Sequence, residues 1–302
     1  MDIDYKMLCL TPFTVENSQY KFNPDKYTKY INVPCGKCEA CLQRKSNDWF
    51  VRINWEIPIC YKCFTATLTY NDENLVYKKL TKDDFAIYVK KSDVDFFDYS
   101  EVFEYIPVVY KRDVQLFIKS FRKSLSKKLG RPYKMKYFIS SEYGGKFQRP
   151  HYHCIFLMYD VLDIDFEYEI EKCWNKGYVS FGDCAPQIIM YTTGYYIQKA
   201  VVPKDADKNF TLISKGIGEN YVKTFKKWHL SDDTRFFVKN GKFIFNMPRY
   251  LRDKIYEKPV VDKRNRILQE KNLIYEDVDY RLEYDKKLDY KRKRQKILRR
   301  KL

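Results

Sequence analysis

The chain has 302 residues, 45% hydrophobic, with 57 Lys and Arg against 40 Asp and Glu for a formal net charge of +17. That length holds one large domain or one domain with substantial appendages, and the apolar share excludes wholesale disorder. The basic excess points to a polyanionic partner, nucleic acid first, while the acidic start Met1-Asp-Ile-Asp-Tyr and the lack of any long apolar run exclude a signal core and a membrane span.

Residues 1 to about 34 show no periodicity and read as an irregular leader. Cys35-Gly-Lys-Cys38-Glu-Ala-Cys41 follows, a repeated x-x spacing that clusters thiolates as zinc knuckles do. Residues 42–56 read as a helix, with Trp49, Ile53 and Glu56 on one face. The β-branched and aromatic run at 64–70 reads as a strand, ended by the turn chemistry of Asn71-Asp72. Residues 71–112 carry no assignable pattern. Asp113 is expected to cap a helix whose stripe is Val114, Phe117, Ile118, Phe121, Leu125 and Leu129, stopped by Gly130 and Pro132. Strands at 135–140 and 152–158 flank a link containing Gly144-Gly145, and 188–200 reads as a second helix, weakened by Thr192, Thr193 and Gly194. Asn240-Gly241 between two short aromatic runs signals a hairpin.

The order strand, helix, two strands, helix gives an α+β fold with a central antiparallel sheet flanked by helices. Its expected segments are a Cys-rich, zinc-knuckle-like part at 1–56, the main domain at 57–250, and a charged, basic, helical or disordered tail at 251–302. Residues 286–302 hold ten Lys or Arg against the single acid Asp289. Lys286, Lys287, Arg292 and Arg294 are its candidate DNA contacts, with Arg149 a further one beside the histidines. A chain used in a reducing cytoplasm keeps its cysteines as thiols, so the nine here read as metal ligands or core residues and not as disulfides. Cys60 and Cys63 form a second candidate pair, although Cys63 also reads as buried; Cys154, Cys173 and Cys184 read as core.

Of only three histidines, two are His151 and His153. Residues two apart on a strand point to one face, so both imidazoles aim at one spot, which is what a divalent metal requires. Glu142, at the end of the preceding strand, reaches that face if the two strands pair antiparallel across the glycine link. Two imidazoles and a carboxylate leave positions for a phosphate oxygen and water, which suits Lewis-acid chemistry on a phosphodiester with Mg²⁺ or Mn²⁺.

Ser140-Ser-Glu-Tyr-Gly144 running into Arg149-Pro-His-Tyr-His-Cys-Ile-Phe156 resembles the Glu-Tyr-Gly…Arg-Pro-His-x-His segment of microvirus replication initiator proteins. These are HUH endonucleases, with an apolar residue between two histidines and a ferredoxin- or RRM-like core; Tyr152 stands in that middle position. Pro34-Cys-Gly-Lys-Cys-Glu-Ala-Cys41 with Trp49 and Arg52, Thr67-Leu-Thr-Tyr70, Ser214-Lys-Gly-Ile-Gly218 and Pro248-Arg-Tyr250 are similar to the gokushovirus-type members, in the same order.

The resemblance implies rolling-circle initiation in the cytoplasm of a bacterial host. In that reaction a tyrosine attacks a phosphodiester at the origin, keeps the 5′ phosphate, and leaves a 3′ hydroxyl for the host polymerase. The family's nucleophiles lie on a helix as Tyr-x-x-x-Tyr followed by Lys, which selects Tyr191, Tyr195 and Lys199 here. Aligning on Tyr-x-x-Lys selects Tyr196 with Lys199 instead. The resemblance also extends to Cys9, the first choice as fourth ligand of a structural Zn²⁺ with Cys35, Cys38 and Cys41, against unliganded thiols.

Pro34-Cys-Gly-Lys-Cys38 has half of a zinc deaminase motif, but the matching His-x-Glu is missing. No Gly-x-x-x-x-Gly-Lys-Ser/Thr occurs, so strand unwinding calls for a host helicase. Two rival readings stand: a related relaxase, plasmid initiator or transposase with the same chemistry, and a non-catalytic zinc protein that binds nucleic acid.

Overall fold

Every second residue of Lys62–Tyr70 is apolar, and a strand with that alternation must bury one face and leave the other for polar groups. A computed structural model describes residues 9–25, 27–80, 86–90, 105–145, 147–198, 202–241 and 243–273, with Leu282, Asp285, Lys286 and Asp289 beyond them. The chain divides into two compact units, Trp49–Phe225 and a second formed by Met1–Asp48 with Lys226–Leu302. This differs from the three consecutive segments expected, because composition along the chain carries no record of which distant segments pack together.

The fold is α+β. In chain order the elements are β1 (Phe13–Glu16), β2 (Tyr30–Val33), α1 (Glu39–Asn54), β3 (Lys62–Tyr70), β4 (Val76–Leu80), β5 (Ala86–Lys90), β6 (Tyr105–Pro107) and α2 (Lys111–Leu129). Then come β7 (Met135–Tyr143), β8 (Pro150–Met158), α3 (Phe166–Cys173), β9 (Gly177–Asp183), α4 (Pro186–Gln198) and β10 (Thr211–Ile213). The series ends with α5 (Glu219–Leu230), β11 (Phe237–Asn240), β12 (Phe243–Asn246), α6 (Arg249–Ile255) and α7 (Lys258–Leu273).

The larger unit is built on a five-stranded antiparallel sheet of order β10-β7-β8-β3-β9. On one face, Phe64, Ala66, Leu68 and Tyr70 of β3 and Tyr152, Cys154, Phe156 and Met158 of β8 pack with Val114, Phe117, Phe121 and Leu125 of α2 and Phe166 and Ile170 of α3. Phe121 is fully buried, with its ring 5.6 Å from that of Phe156; truncating such a side chain costs about 3–5 kcal/mol. The opposite face carries Thr67 and Thr69 beside the histidines, and α4 packs against β7 and β8.

The expected stripe of α2 is the buried one, and Gly130 closes the helix at φ 77°, a left-handed position that suits glycine. Its start is corrected. The N-cap is Tyr110, without a side-chain cap bond, and Asp113 is buried in the first turn, where it accepts from the Tyr70 hydroxyl at 3.1 Å and faces Lys176 at 3.5 Å. The unassigned stretch supplies the small sheet β5-β4-β6. Strand β9 and helix α3 have no counterpart among the expected elements, although Asp165 caps α3 by accepting from the Glu167 and Tyr168 amides.

The reading of all nine cysteines as thiols is also corrected. Cys63 and Cys184 form a disulfide with a Cα–Cα distance of 5.8 Å. It joins the start of β3 to the residue after β9, next to the facing pair Phe64 and Asp183. Within the smaller unit, the supposed leader contains the β1–β2 hairpin. The Asn240-Gly241 hairpin forms as expected, with Gly241 at φ 57°. His229 is fully buried there and bonded to the Arg235 carbonyl at 2.8 Å, which gives it a structural place.

Candidate active site and cysteine cluster

Strand register gathers the histidine site. Strand β8 lies between β7 and β3, so Glu142 faces His151 across one side, while Thr69 faces His151 and Thr67 faces His153 across the other. The Glu142 carboxylate reaches diagonally to His153 Nε2 at 2.8 Å. Thr69 Oγ1 lies 2.9 Å from His151 Nδ1, and Thr67 Oγ1 lies 3.2 Å from His153 Nδ1. A hydroxyl at each Nδ1 can accept its proton, fix the tautomer and leave Nε2 as the ligating nitrogen. Burial and the neighbouring His153 both push the His151 imidazole below its ordinary range, which favours the neutral form that a metal needs.

The two threonines enter the sequence reading only as part of a family-like strand, not as site residues. The signal is there in the alternation Thr65, Thr67, Thr69, which puts hydroxyls on the face opposite the apolar residues. Gly144 is a second unrecognised participant. A Cβ there would lie 2.9 Å from His151 Nε2, so only glycine leaves that nitrogen clear. The β7–β8 link is tight, with the Gly144 amide donating to the Arg149 carbonyl at 2.9 Å.

Helix α4 supplies the tyrosine. Ile189, Thr192 and Thr193 form its buried side, and Thr193 Oγ1 donates to the Ile189 carbonyl at 2.9 Å, which satisfies a polar residue in a buried helix face. Tyr191 therefore points away from that side. It is 62% exposed, and its ring stands edge-on to His153 with centroids 6.4 Å apart. Tyr195 and Tyr196 follow in the same helix, and Lys199 lies outside the described residues. Tyr178, opposite Thr69 on β9, is another exposed ring on this face, at 72%.

Arg149 takes a different place from the one expected. Its guanidinium donates to the Tyr70 carbonyl at 2.6 and 3.1 Å and pairs with Asp72 at 2.8 Å, clamping the start of β8 to the end of β3. Among the tail candidates Lys286 is exposed, whereas Lys287, Arg292 and Arg294 lie outside the described residues.

The sulfurs of Cys9, Cys35, Cys38 and Cys41 lie within 4.8 Å of one another, so the four cysteines form a group that can hold a structural metal such as zinc. Main-chain amides already point at the sulfurs: Cys35 to Cys9 at 3.2 Å, Cys38 to Cys35 at 3.3 Å and Leu10 to Cys38 at 3.4 Å. The Thr11 hydroxyl and the Lys37 and Cys38 amides pull the Cys35 thiol down to about 5, whereas burial pushes Cys41 up to about 12. Among the described residues this is the group that brings three or more ligand atoms so close. Glu142, His151 and His153 are a looser set, with one contact made and His151 held between Thr69 and Gly144.

The class is given by a family model for the replication-associated protein ORF2, which matches residues 107–200. That stretch carries α2, the histidine strand and the tyrosine helix. Over longer spans the chain is 27% identical to the replication-associated protein ORF2 of Spiroplasma virus 4, covering 86% of this chain and 87% of the relative. It is 24% identical to the replication-associated protein VP4 of Bdellovibrio phage phiMH2K, covering 73% and 66%, and 24% identical to the replication-associated protein ORF4 of Chlamydia phage 1, covering 73% and 53%. These matches place the chain with the microvirus-type phage replication-associated proteins. No solved structure matches it. Among the described residues no helix is long and apolar enough to cross a membrane.

Proposed function

We propose that this chain initiates rolling-circle replication by nicking one DNA strand with Tyr191 at a metal-dependent site made by His151, His153 and Glu142. The observation that carries the reading is the convergence of two oriented imidazoles, a carboxylate and an exposed tyrosine ring on one sheet face. Its kinship with replication-associated proteins gives the reaction a biological setting.

The donor set suits a hard divalent cation that keeps open positions. Mg²⁺ or Mn²⁺ held by His151, His153 and Glu142 would supply Lewis-acid polarisation of the scissile phosphate. Thr67 and Thr69 keep the imidazoles in register, and Gly144 keeps His151 Nε2 clear. The Tyr191 oxygen forms a bond to phosphorus as its phenolic proton leaves. The bond from phosphorus to the 3′ oxygen breaks, and that oxygen takes up a proton to become the free 3′ hydroxyl. The 5′ phosphate stays on Tyr191 until a hydroxyl from the displaced strand reverses the step and closes a circle. Tyr195 or Tyr196, with Lys199, is assigned the second transfer. The exposed Tyr178 ring offers a stacking surface for a base.

In this reading the partners are origin DNA, the host polymerase that extends the 3′ hydroxyl, and a host helicase, all in the bacterial cytoplasm. A structural Zn²⁺ on Cys9, Cys35, Cys38 and Cys41 completes the cofactor set. The test is cleavage of single-stranded origin-library DNA with Mn²⁺ by wild type, His151→Ala and His153→Ala. Cleavage by wild type alone, stopped by chelator, supports the proposal. Tight binding without cleavage by wild type favours a nucleic-acid-binding role with no chemistry.

A further inference from the structure

The outer side of α2 carries charge that the histidine site does not use. Arg112, Lys119, Arg122 and Lys123 are exposed at helical spacings that align them on one face. They line a groove of about 550 Å³ with Tyr137 of β7 and Leu212 of β10 among its other walls, and no acidic side chain lines it. The Arg122 guanidinium lies 6.0 Å from the centre of the Tyr137 ring. Lysines 127 and 128 extend the basic run toward the helix end.

The register separates this groove from the catalytic face. Tyr137 faces Phe156, and Leu212 faces Ile139, all on the side of the sheet that packs against α2. The histidines project from the other side. A helical row of cations beside an aromatic and an aliphatic side chain has the chemistry of a track for a single strand, with phosphates on the cations and a base against the ring. A duplex keeps its bases stacked inside and would leave the apolar part of the groove unused.

We infer that the groove between α2 and the β10 edge binds the phosphodiester backbone of single-stranded DNA, holding sequence that flanks the reacting phosphate. This rests on the proposed DNA-nicking role for its biological meaning, but the binding can be measured without it.

The experiment compares the full chain with Lys119→Gln/Arg122→Gln/Lys123→Gln and with a control, Lys223→Gln/Lys226→Gln/Lys227→Gln, which removes the same charge from α5. Anisotropy of a labelled oligothymidine is followed over a range of salt, with thermal melts to check folding. The α2 variant should bind on the order of tenfold more weakly at low salt, and its slope of log affinity against log salt should fall by about 2. The control should change less on both measures. Equal losses in the two variants, or a duplex that competes better than a single strand, would overturn the inference. Covalent adduct formation on a short single-stranded substrate is measured beside it. An altered slope with no adduct in wild type sinks the nicking proposal and leaves the groove standing, and an adduct with an unaltered slope does the reverse.

Discussion

Replacing Glu56 should unfold the larger unit sooner than any surface change. Its side chain is fully buried yet charged, and each oxygen has two donors. The Gly218 and Asn220 amides reach Oε1 at 2.9 and 3.1 Å, and Lys136 reaches Oε2 at 3.0 Å beside the Tyr159 hydroxyl. Burial works to raise this carboxyl, but the bonds from Tyr159 and Asn220 and the Lys136 charge outweigh it and hold it below the usual range. Glu56→Ala strands a half-buried ammonium, which keeps only the Gly216 carbonyl at 2.7 Å, and two amides. Breaking a buried pair in this way costs about 3–5 kcal/mol, or roughly 10 °C in Tm for a unit of this size. Glu56→Gln keeps an acceptor for the amides and should lose about 2 kcal/mol. Because the folded value is depressed, the stabilisation is complete above the unfolded value of about 4.3 and disappears as pH falls through the folded one. Thermal melts by circular dichroism at neutral pH and in acid measure both effects. A neutral-pH loss under about 1 kcal/mol, or a deficit that does not narrow in acid, would refute the reasoning.

Gly144→Ala should lower cleavage on the order of a hundredfold by displacing His151, with DNA affinity retained, whereas Gly145→Ala, where a Cβ meets nothing within 4 Å, should leave cleavage unchanged. Equal cleavage by the two variants would remove the glycine from the site. Thr69→Val takes away the His151 Nδ1 partner and should raise the Mn²⁺ needed for half-maximal cleavage by roughly 10–100-fold; an unshifted metal titration contradicts that. Native mass spectrometry should find one zinc on the wild-type chain and none on Cys35→Ser, with a lower Tm for the variant; a metal-free wild type of equal stability would return the cysteines to plain thiols.

Periodicity made the centre of the fold and the histidine pair legible. Period two put His151 and His153 on one face and gave Glu142 its reach, and period 3.6 gave the buried stripe of α2. What stayed hidden depended on contacts between distant segments. Asp113 reads as a cap because its partner, the Tyr70 hydroxyl, lies 43 positions away in the chain. The Cys63–Cys184 disulfide spans 121 positions, and its half-cystines become neighbours only when β3 and β9 pair. Arg149 looks like a free cation until the Tyr70–Asp72 turn takes its guanidinium. The tyrosines cannot be ranked from spacing, since Tyr191, Tyr195 and Tyr196 all fit a helical pattern. Burial of Ile189, Thr192 and Thr193 is what turns Tyr191 toward the histidines. The Ser214–Gly218 motif looks functional and proves partly structural, since Gly218 supplies one of the donors that hold Glu56.

Covalent trapping tests the central claim most directly. The protein is incubated with labelled single-stranded origin DNA and Mn²⁺, the SDS-resistant species is isolated, and the modified peptide is mapped by mass spectrometry. The expected result is a phosphotyrosyl adduct on Tyr191 that disappears with chelator, with His151→Ala and with Tyr191→Phe. A first adduct on Tyr195 or Tyr196 that persists in Tyr191→Phe, or no adduct despite tight binding, would contradict it.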